Sequence, residues 1–182
     1  MAAVDVPRGS LGDHIASVAA KLFYREGINV VGVDRVAAEA EVTKRTLYRY
    51  FRSKDELIVA ALKRGPRVRF PAEGTPKARM LGAFDMLIAF LDGTKLRGCP
   101  FMNGAAELAD PRHPGREVVR RATERRRAWF RALAEEAGAP AQLGEQLDVL
   151  FDGALASSMI ATDLAPARAA LAAAKALVNA AT

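Results

Sequence analysis

Apolar residues in this 182-residue chain recur at helical spacing and almost never alternate. From Ile15, the positions Ile15, Val18, Ala19, Leu22 and Phe23 fall at i, i+3, i+4, i+7 and i+8, one face of a helix. The same steps return at Met80, Leu81, Phe84, Leu87, Ile88 and Leu91, and again at Leu143, Leu147, Leu150, Phe151, Ala154 and Leu155. No segment reads as a convincing hairpin. Aromatics make up 7% of the chain, and much of its 51% apolar share is alanine. Alanine is the best helix former and a poor strand former, so helices are favoured over sheets. The expected fold class is all-α, with about nine helices, a small N-terminal domain and a C-terminal helical bundle.

Local signals mark where those helices begin and end. Gly27 reads as a stop for the first helix. A second, short helix spans Asp34–Ala40, with Gly32 or Val33 in the capping position. Thr43 is a plausible N-cap for a third. Ser53 with Glu56 three residues later matches a capping box and opens a fourth through Leu57, Ile58, Ala61 and Leu62. Gly65–Pro66 and Pro71–Gly74 punctuate a connector, which places a boundary near residue 65. The expected domains are residues 1–65, with 1–10 as a flexible tail, and residues 66–182. Beyond the boundary, Thr75–Pro76 starts a helix that Gly93 ends. Further helices are expected over Cys99–Ala109, Pro114–Ala137, Pro140–Asp163 and Pro166–Ala181.

Charge is unevenly spread. Residues 1–70 carry 13 Lys and Arg against 8 Asp and Glu, a net of +5, whereas residues 71–182 carry 14 against 13. The excess in the N-terminal third points to a polyanionic partner, nucleic acid or a membrane surface, against the plain alternative of a solvated basic face. No apolar run is long enough to span a membrane, and the N-terminus carries no apolar signal core. The single cysteine, Cys99, cannot form an intramolecular disulfide, which suits a cytoplasmic location.

The basic excess culminates in TKRTLYRYFRSKDEL, residues 43–57. Two short helices joined by a break of three or four residues form a helix-turn-helix arrangement, whose second helix enters the DNA major groove. Lys44 and Arg45, at the start of that helix, can donate to guanine O6 and N7 or to phosphate. Thr43 and the backbone N–H groups of the first turn can meet a phosphate oxygen, as can the hydroxyls of Tyr48 and Tyr50. Leu47 and Phe51, four apart, share a face that anchors the helix to the domain. Two surface helices that merely happen to be short and basic are the competing explanation.

Residues 33–62, VDRVAAEAEVTKRTLYRYFRSKDELIVAAL, resemble the TetR family of bacterial transcriptional regulators. The resemblance rests on Val36–Ala37, Ala40–Glu41–Val42, Thr43, Thr46–Leu47–Tyr48–Arg49–Tyr50–Phe51 and Lys54–Asp55–Glu56–Leu57. It extends upstream through Ile15–Gly27 and more loosely across the chain. It implies that Thr43, Tyr48, Tyr50 and Lys54 contact phosphates, that Lys44, Arg45, Thr46 and Arg49 lie in the base-reading part, and that Val36, Leu47 and Phe51 are core. Two departures stand out. Gly32 replaces the usual Thr or Ser cap. Glu41 replaces the usual turn glycine, at a cost of ~1 kcal/mol if the turn needs a left-handed residue.

The resemblance further implies a repressor that binds a palindromic, double-stranded DNA operator as a homodimer and is released by a small-molecule ligand. Its dimer interface would come from the last two long helices, with Leu143, Leu147, Leu150, Phe151, Ala154, Leu155, Leu171 and Leu177 as candidates. The candidate pocket residues are Met80, Phe84, Leu87, Ile88, Cys99, Phe101, Met102, Trp129 and Phe130, most of which are more simply core. The run Arg120, Arg121, Arg125, Arg126, Arg127 and Arg131 could favour an anionic ligand, but it spreads over several helix faces and is expected to be mostly solvated. Cys99, near Arg97 and at a helix start, could instead sense oxidants or electrophiles, against the plainer alternative of an inert buried thiol. His113 and Glu117 have one-turn spacing but are too few for a metal site. No catalytic constellation, phosphate loop or dinucleotide fingerprint is present, so no catalytic residue, metal or cofactor is expected. A helical protein or enzyme that does not bind DNA is the remaining alternative.

Overall fold

A computed structural model describes residues 9–65, 69–92 and 98–181. Among them are nine α-helices and no strand: α1 (Leu11–Glu26), α2 (Val33–Glu39), α3 (Lys44–Tyr50), α4 (Lys54–Lys63), α5 (Pro76–Asp92), α6 (Pro100–Glu107), α7 (Pro114–Glu136), α8 (Ala141–Ala161) and α9 (Ala165–Ala181). They form two compact units. One lies within Met1–Arg67 and Pro100–Arg121, the other within Val68–Cys99 and Ala122–Thr182. The division is not a single cut near residue 65, because α6 and the first turns of α7 pack with the N-terminal helices.

In the first unit α1 begins four residues before the apolar stripe. Ser10 is its N-cap, accepting from the Asp13 N–H at 3.1 Å, and Asp13 in turn accepts from the Gly9 N–H at 2.9 Å. Ser10 thus does structural work within the stretch expected to be tail. The helix stops at Gly27, whose φ of 103° few other residues adopt. Asp13, in the first turn of α1, forms an ion pair with Arg64 just past the end of α4, so α1 and α4 run antiparallel. Between them lie Ile15, Ala16, Ala19, Leu22, Leu57, Ile58 and Leu62, joined by Val36 from α2 and by Leu47 and Phe51. Leu108, after α6, belongs to the same core. A Cβ on Gly104 would lie 3.1 Å from Leu62, so α6 approaches α4 closely.

Polar contacts fix α6 at its other end. Glu107 accepts from the Asn29 N–H at 3.0 Å, and the Asn29 amide donates to the Glu107 carbonyl at 3.0 Å. Arg116 donates to the carbonyls of Ala105 and Leu108 at 2.7 and 3.0 Å, covering acceptors that a helix end leaves unpaired.

The second unit is built on α5, α8, α9 and the remainder of α7. Thr75 caps α5, accepting from the Ala78 N–H at 3.2 Å, with Pro76 as the first helical residue. Gly93, expected to end α5, lies outside the described residues. Phe84, Phe130 and Phe151 meet at centroid distances of 5.8–6.2 Å, and Phe70 stacks on Trp129 at 4.6 Å. A Cβ on Gly144 of α8 would lie 2.6 Å from the backbone N and Cα of Arg131, so two helix backbones touch there.

The residues expected at the dimer interface differ in burial. Leu143, Leu147, Phe151, Ala154 and Leu155 are buried within the single chain, while Leu150, Leu171 and Leu177 are half-buried. An apolar stripe goes first to the nearest core, and the free face of α8 carries other residues.

One further feature was not anticipated. Asp148 sits on the buried side of α8, 2% exposed, where it accepts from Arg126 at 2.5 Å and from Arg127 at 3.3 Å. Arg126 also donates to Asp152 at 2.6 Å and lies over the Phe151 ring at 5.1 Å. Burial opposes the Arg126 charge, but the hydrogen bonds and negative field of Asp148 and Asp152 outweigh it and raise the pKa. The basic run is therefore mostly a solvated face with one member turned inward.

Candidate nucleic-acid interface

The helix-turn-helix is assembled around a tight reversal. Ala40 ends α2, the Val42 N–H bonds back to the Ala37 carbonyl at 3.0 Å, and the Glu41 N–H bonds to Ala38 at 3.1 Å. This crossed pair is a Schellman motif, and it places Glu41 in the left-handed region at φ 54°. The same motif ends α7, where Ala139 bonds to Ala134, Gly138 bonds to Glu135, and the left-handed position holds Gly138 at φ 73°. The expected strain at Glu41 is thus present, and the turn keeps the geometry that glycine would give.

Helix α3 follows. Thr43 caps it, accepting from the Thr46 N–H at 3.1 Å, and the two hydroxyl oxygens lie 3.0 Å apart. Leu47 and Phe51 are fully buried and fasten α3 to α1 and α2. The opposite side faces solvent. Arg45 and Arg49 are exposed and make no ion pair with any described residue, while Tyr48 and Tyr50 are 41% and 36% exposed. Thr46 and Lys54 are half-buried.

Lys44 differs from its neighbours. Its Nζ lies 2.9 and 3.1 Å from the two carboxylate oxygens of Asp34, in the first turn of α2. The Asp34 hydrogen bond, and then its negative field, raise the Lys44 pKa. Arg35 is likewise engaged, donating to Glu39 at 2.7 Å.

The next helix is anchored by Ser53, which accepts from the Glu56 N–H at 3.1 Å. Glu56 does not return the bond to Ser53. It accepts from the Arg52 N–H at 2.7 Å, one residue earlier, so the capping box is displaced but still satisfies two donors. Asp55, in the first turn of α4, lies 3.3 Å from His113 Nε2. His113 Nδ1 accepts from the Gly115 N–H at 3.0 Å, which leaves Nε2 to donate to Asp55. His113 is therefore a brace between α4 and the start of α7, and no group of potential metal ligands exists among the described residues.

The candidate pocket residues are divided between the two units. Met80, Phe84, Leu87 and Phe130 are buried in the second unit, and Ile88 and Trp129 are half-buried there. Phe101 and Met102, on α6, belong to the first unit, and Phe101 packs beside Gly65. Cys99 is half-buried immediately before α6, and Arg97 lies outside the described residues.

Residues 15–61 match the model of bacterial regulatory proteins of the tetR family, and residues 76–179 match the tetracyclin repressor-like C-terminal domain. The chain belongs to the TetR family. SCO4454, a TetR-family transcriptional regulator from Streptomyces coelicolor, is 28% identical and superposes with a TM-score of 0.86, covering 94% of this chain and 95% of that one. The sav143 protein of Streptomyces avermitilis is 33% identical, with a TM-score of 0.75 over 91% and 98% of the two chains. An uncharacterized HTH-type transcriptional regulator from Haemophilus influenzae is 42% identical over 48 residues, about a quarter of either protein (26%). As a TetR-family protein the chain is a DNA-binding transcriptional regulator rather than an enzyme. No helix among the described residues is long and apolar enough to cross a membrane.

Proposed function

We propose that this TetR-family protein is a ligand-responsive repressor that binds a palindromic operator as a homodimer and leaves it when a small molecule occupies the second unit. The observation that carries the DNA part is the outer face of α3. Two arginines that pair with no described residue stand there beside two half-exposed tyrosines, on a helix fixed from behind by Leu47 and Phe51. Arg45 and Arg49 supply bidentate donors for guanine, and Tyr48, Tyr50 and Lys54 supply donors for the flanking phosphates.

Dimerisation is supported by the free side of α8. Val149 is 67% and Ile160 80% exposed, and the exposed Gly153 lies between them at helical spacing. Such a face of small and apolar residues suits close packing against a second copy. Ligand binding is supported by Ser158, whose hydroxyl is wholly buried and has no hydrogen-bond partner among the described residues. Buried polar groups are rarely left in that state, and a bound polar group beside α8 would satisfy it.

The test is a gel shift with duplexes selected from a random pool by the purified protein. Wild type should retain a palindromic duplex, Arg45→Ala and Arg49→Ala should release it, and Ile160→Glu should give a monomer by light scattering that binds at least tenfold more weakly. Retention of the same duplex by both arginine variants would sink the assignment of α3 as the reading element.

A further inference from the structure

We propose that Asp34 is a specificity-determining residue: by holding the Lys44 ammonium at the surface of the reading helix, it suppresses binding to non-cognate DNA and reserves that lysine for a base pair whose edge meets both the ammonium and the carboxylate. The inference rests on the DNA-binding role just proposed for α3 and goes beyond it, because Asp34 lies on α2 and is itself an anion.

Lys44 is the first residue of α3, the end of a recognition helix that meets base edges. A residue whose carboxylate oxygens stand 2.9 and 3.1 Å from its Nζ is within reach of the same groove. Both side chains are open to solvent, 53% exposed for Lys44 and 71% for Asp34, so nothing but the pair itself keeps the lysine there. Arg45 and Arg49, by contrast, are exposed and unpaired among the described residues.

Non-cognate binding is driven by protein cations that neutralise phosphates and release the counterions condensed there. With its charge neutralised locally, Lys44 contributes little to that term, and the Asp34 carboxylate adds repulsion. A base edge opposite α3 changes the balance. In the major groove guanine O6 and N7 accept from the ammonium while cytosine N4 donates to the carboxylate, and adenine N7 or thymine O4 with adenine N6 supply the same two roles in another arrangement, so both members are satisfied only by a pair in the matching position and orientation. A bare phosphate satisfies the lysine alone.

The experiment measures fluorescence anisotropy of wild type, Asp34→Asn, Asp34→Ala and Lys44→Gln on the selected duplex and on a scrambled duplex of equal length, across a salt series. Circular dichroism melts confirm that each variant folds. For both Asp34 variants, non-cognate affinity should rise about two- to fivefold per subunit, the release of one weak surface pair. The salt dependence on that DNA should steepen by about one unit per subunit. Selected-duplex affinity should not rise, so the ratio of the two affinities falls at least threefold. Lys44→Gln should lower selected-duplex affinity and remove the effect of a second Asp34→Asn change.

An equal rise on both duplexes would show general electrostatics and overturn the proposal, as would unchanged non-cognate affinity. Failure of wild type to retain any duplex is seen before any variant is made. It would overturn the DNA-binding reading itself and this inference with it.

Discussion

Gly144 provides a test of the helix packing in which two known effects oppose each other. In a helix interior, Gly→Ala ordinarily stabilises by about 1 kcal/mol, because glycine is the more costly residue to order. At Gly144 the new methyl would stand 2.6 Å from the Arg131 N and Cα and 2.8 Å from the Phe130 carbonyl carbon, where ordinary contact begins near 3.4 Å. These are backbone atoms of α7 and cannot rotate aside, so α7 and α8 must separate by several tenths of an ångström. Overpacking of that kind costs about 1–3 kcal/mol, and against helix backbone the upper part of the range applies. Net of the propensity gain, Gly144→Ala should lose about 1–2 kcal/mol. For a chain of this size that lowers the Tm by about 2–8 °C. Urea unfolding followed by far-UV circular dichroism, at two protein concentrations to separate any association, measures it. A Gly144→Ala protein as stable as wild type, or more so, would refute the close crossing.

Three other outcomes are expected. Glu41→Gly should raise stability by about 0.5–1 kcal/mol, the left-handed penalty less the greater chain entropy of glycine, whereas Gly138→Ala at the equivalent α7 position should lower it by a similar amount. Chemical denaturation of the two variants gives both signs. Asp148→Asn should cost about 3 kcal/mol, because it leaves the buried Arg126 short of charge compensation, and Arg126→Met in the same background should recover part of that loss. Glu117, held by hydrogen bonds from Arg120 and Arg121 and by their charges, has its pKa lowered to about 2. Because the folded value lies below the ordinary one, its contribution is complete above about pH 4.5 and disappears as pH falls towards 2. Carboxyl NMR titration should find that midpoint, and Arg120→Gln with Arg121→Gln should return it to the usual carboxylate range.

The features legible in the sequence were those set by local chemistry. Helical periodicity, the caps Thr43, Ser53 and Thr75, the stop at Gly27 and the strained position of Glu41 each depend on a few neighbouring residues. What escaped depended on residues far apart in the chain or on which of two cores claims a face. Asp34 and Lys44 are ten residues apart and meet only because the turn folds α2 back on α3. The charge of Lys44 pointed to DNA, and its partner was invisible without the turn geometry. Leu143, Leu147 and Phe151 had the right spacing for an interface, but periodicity identifies an apolar face without naming what covers it. Asp148, an acid amid an apolar stripe, was the available clue to an inward-turned arginine. The packing of α6 against α4 left no local signal, since Leu62, Gly104 and Leu108 read alike for either unit.

That placement of α6 has a consequence for how the protein is made. Helices α1–α4 leave the ribosome before Leu108 and Glu107, which complete their core and bind Asn29. Until synthesis has passed the first turns of α7, the reading head lacks one wall, and closing it requires drawing together the ends of the intervening stretch of chain. A nascent chain stalled after α4 should therefore carry its recognition helix on an unfinished support. A fragment ending at residue 65 should be more easily digested by protease than the same helices within the full chain.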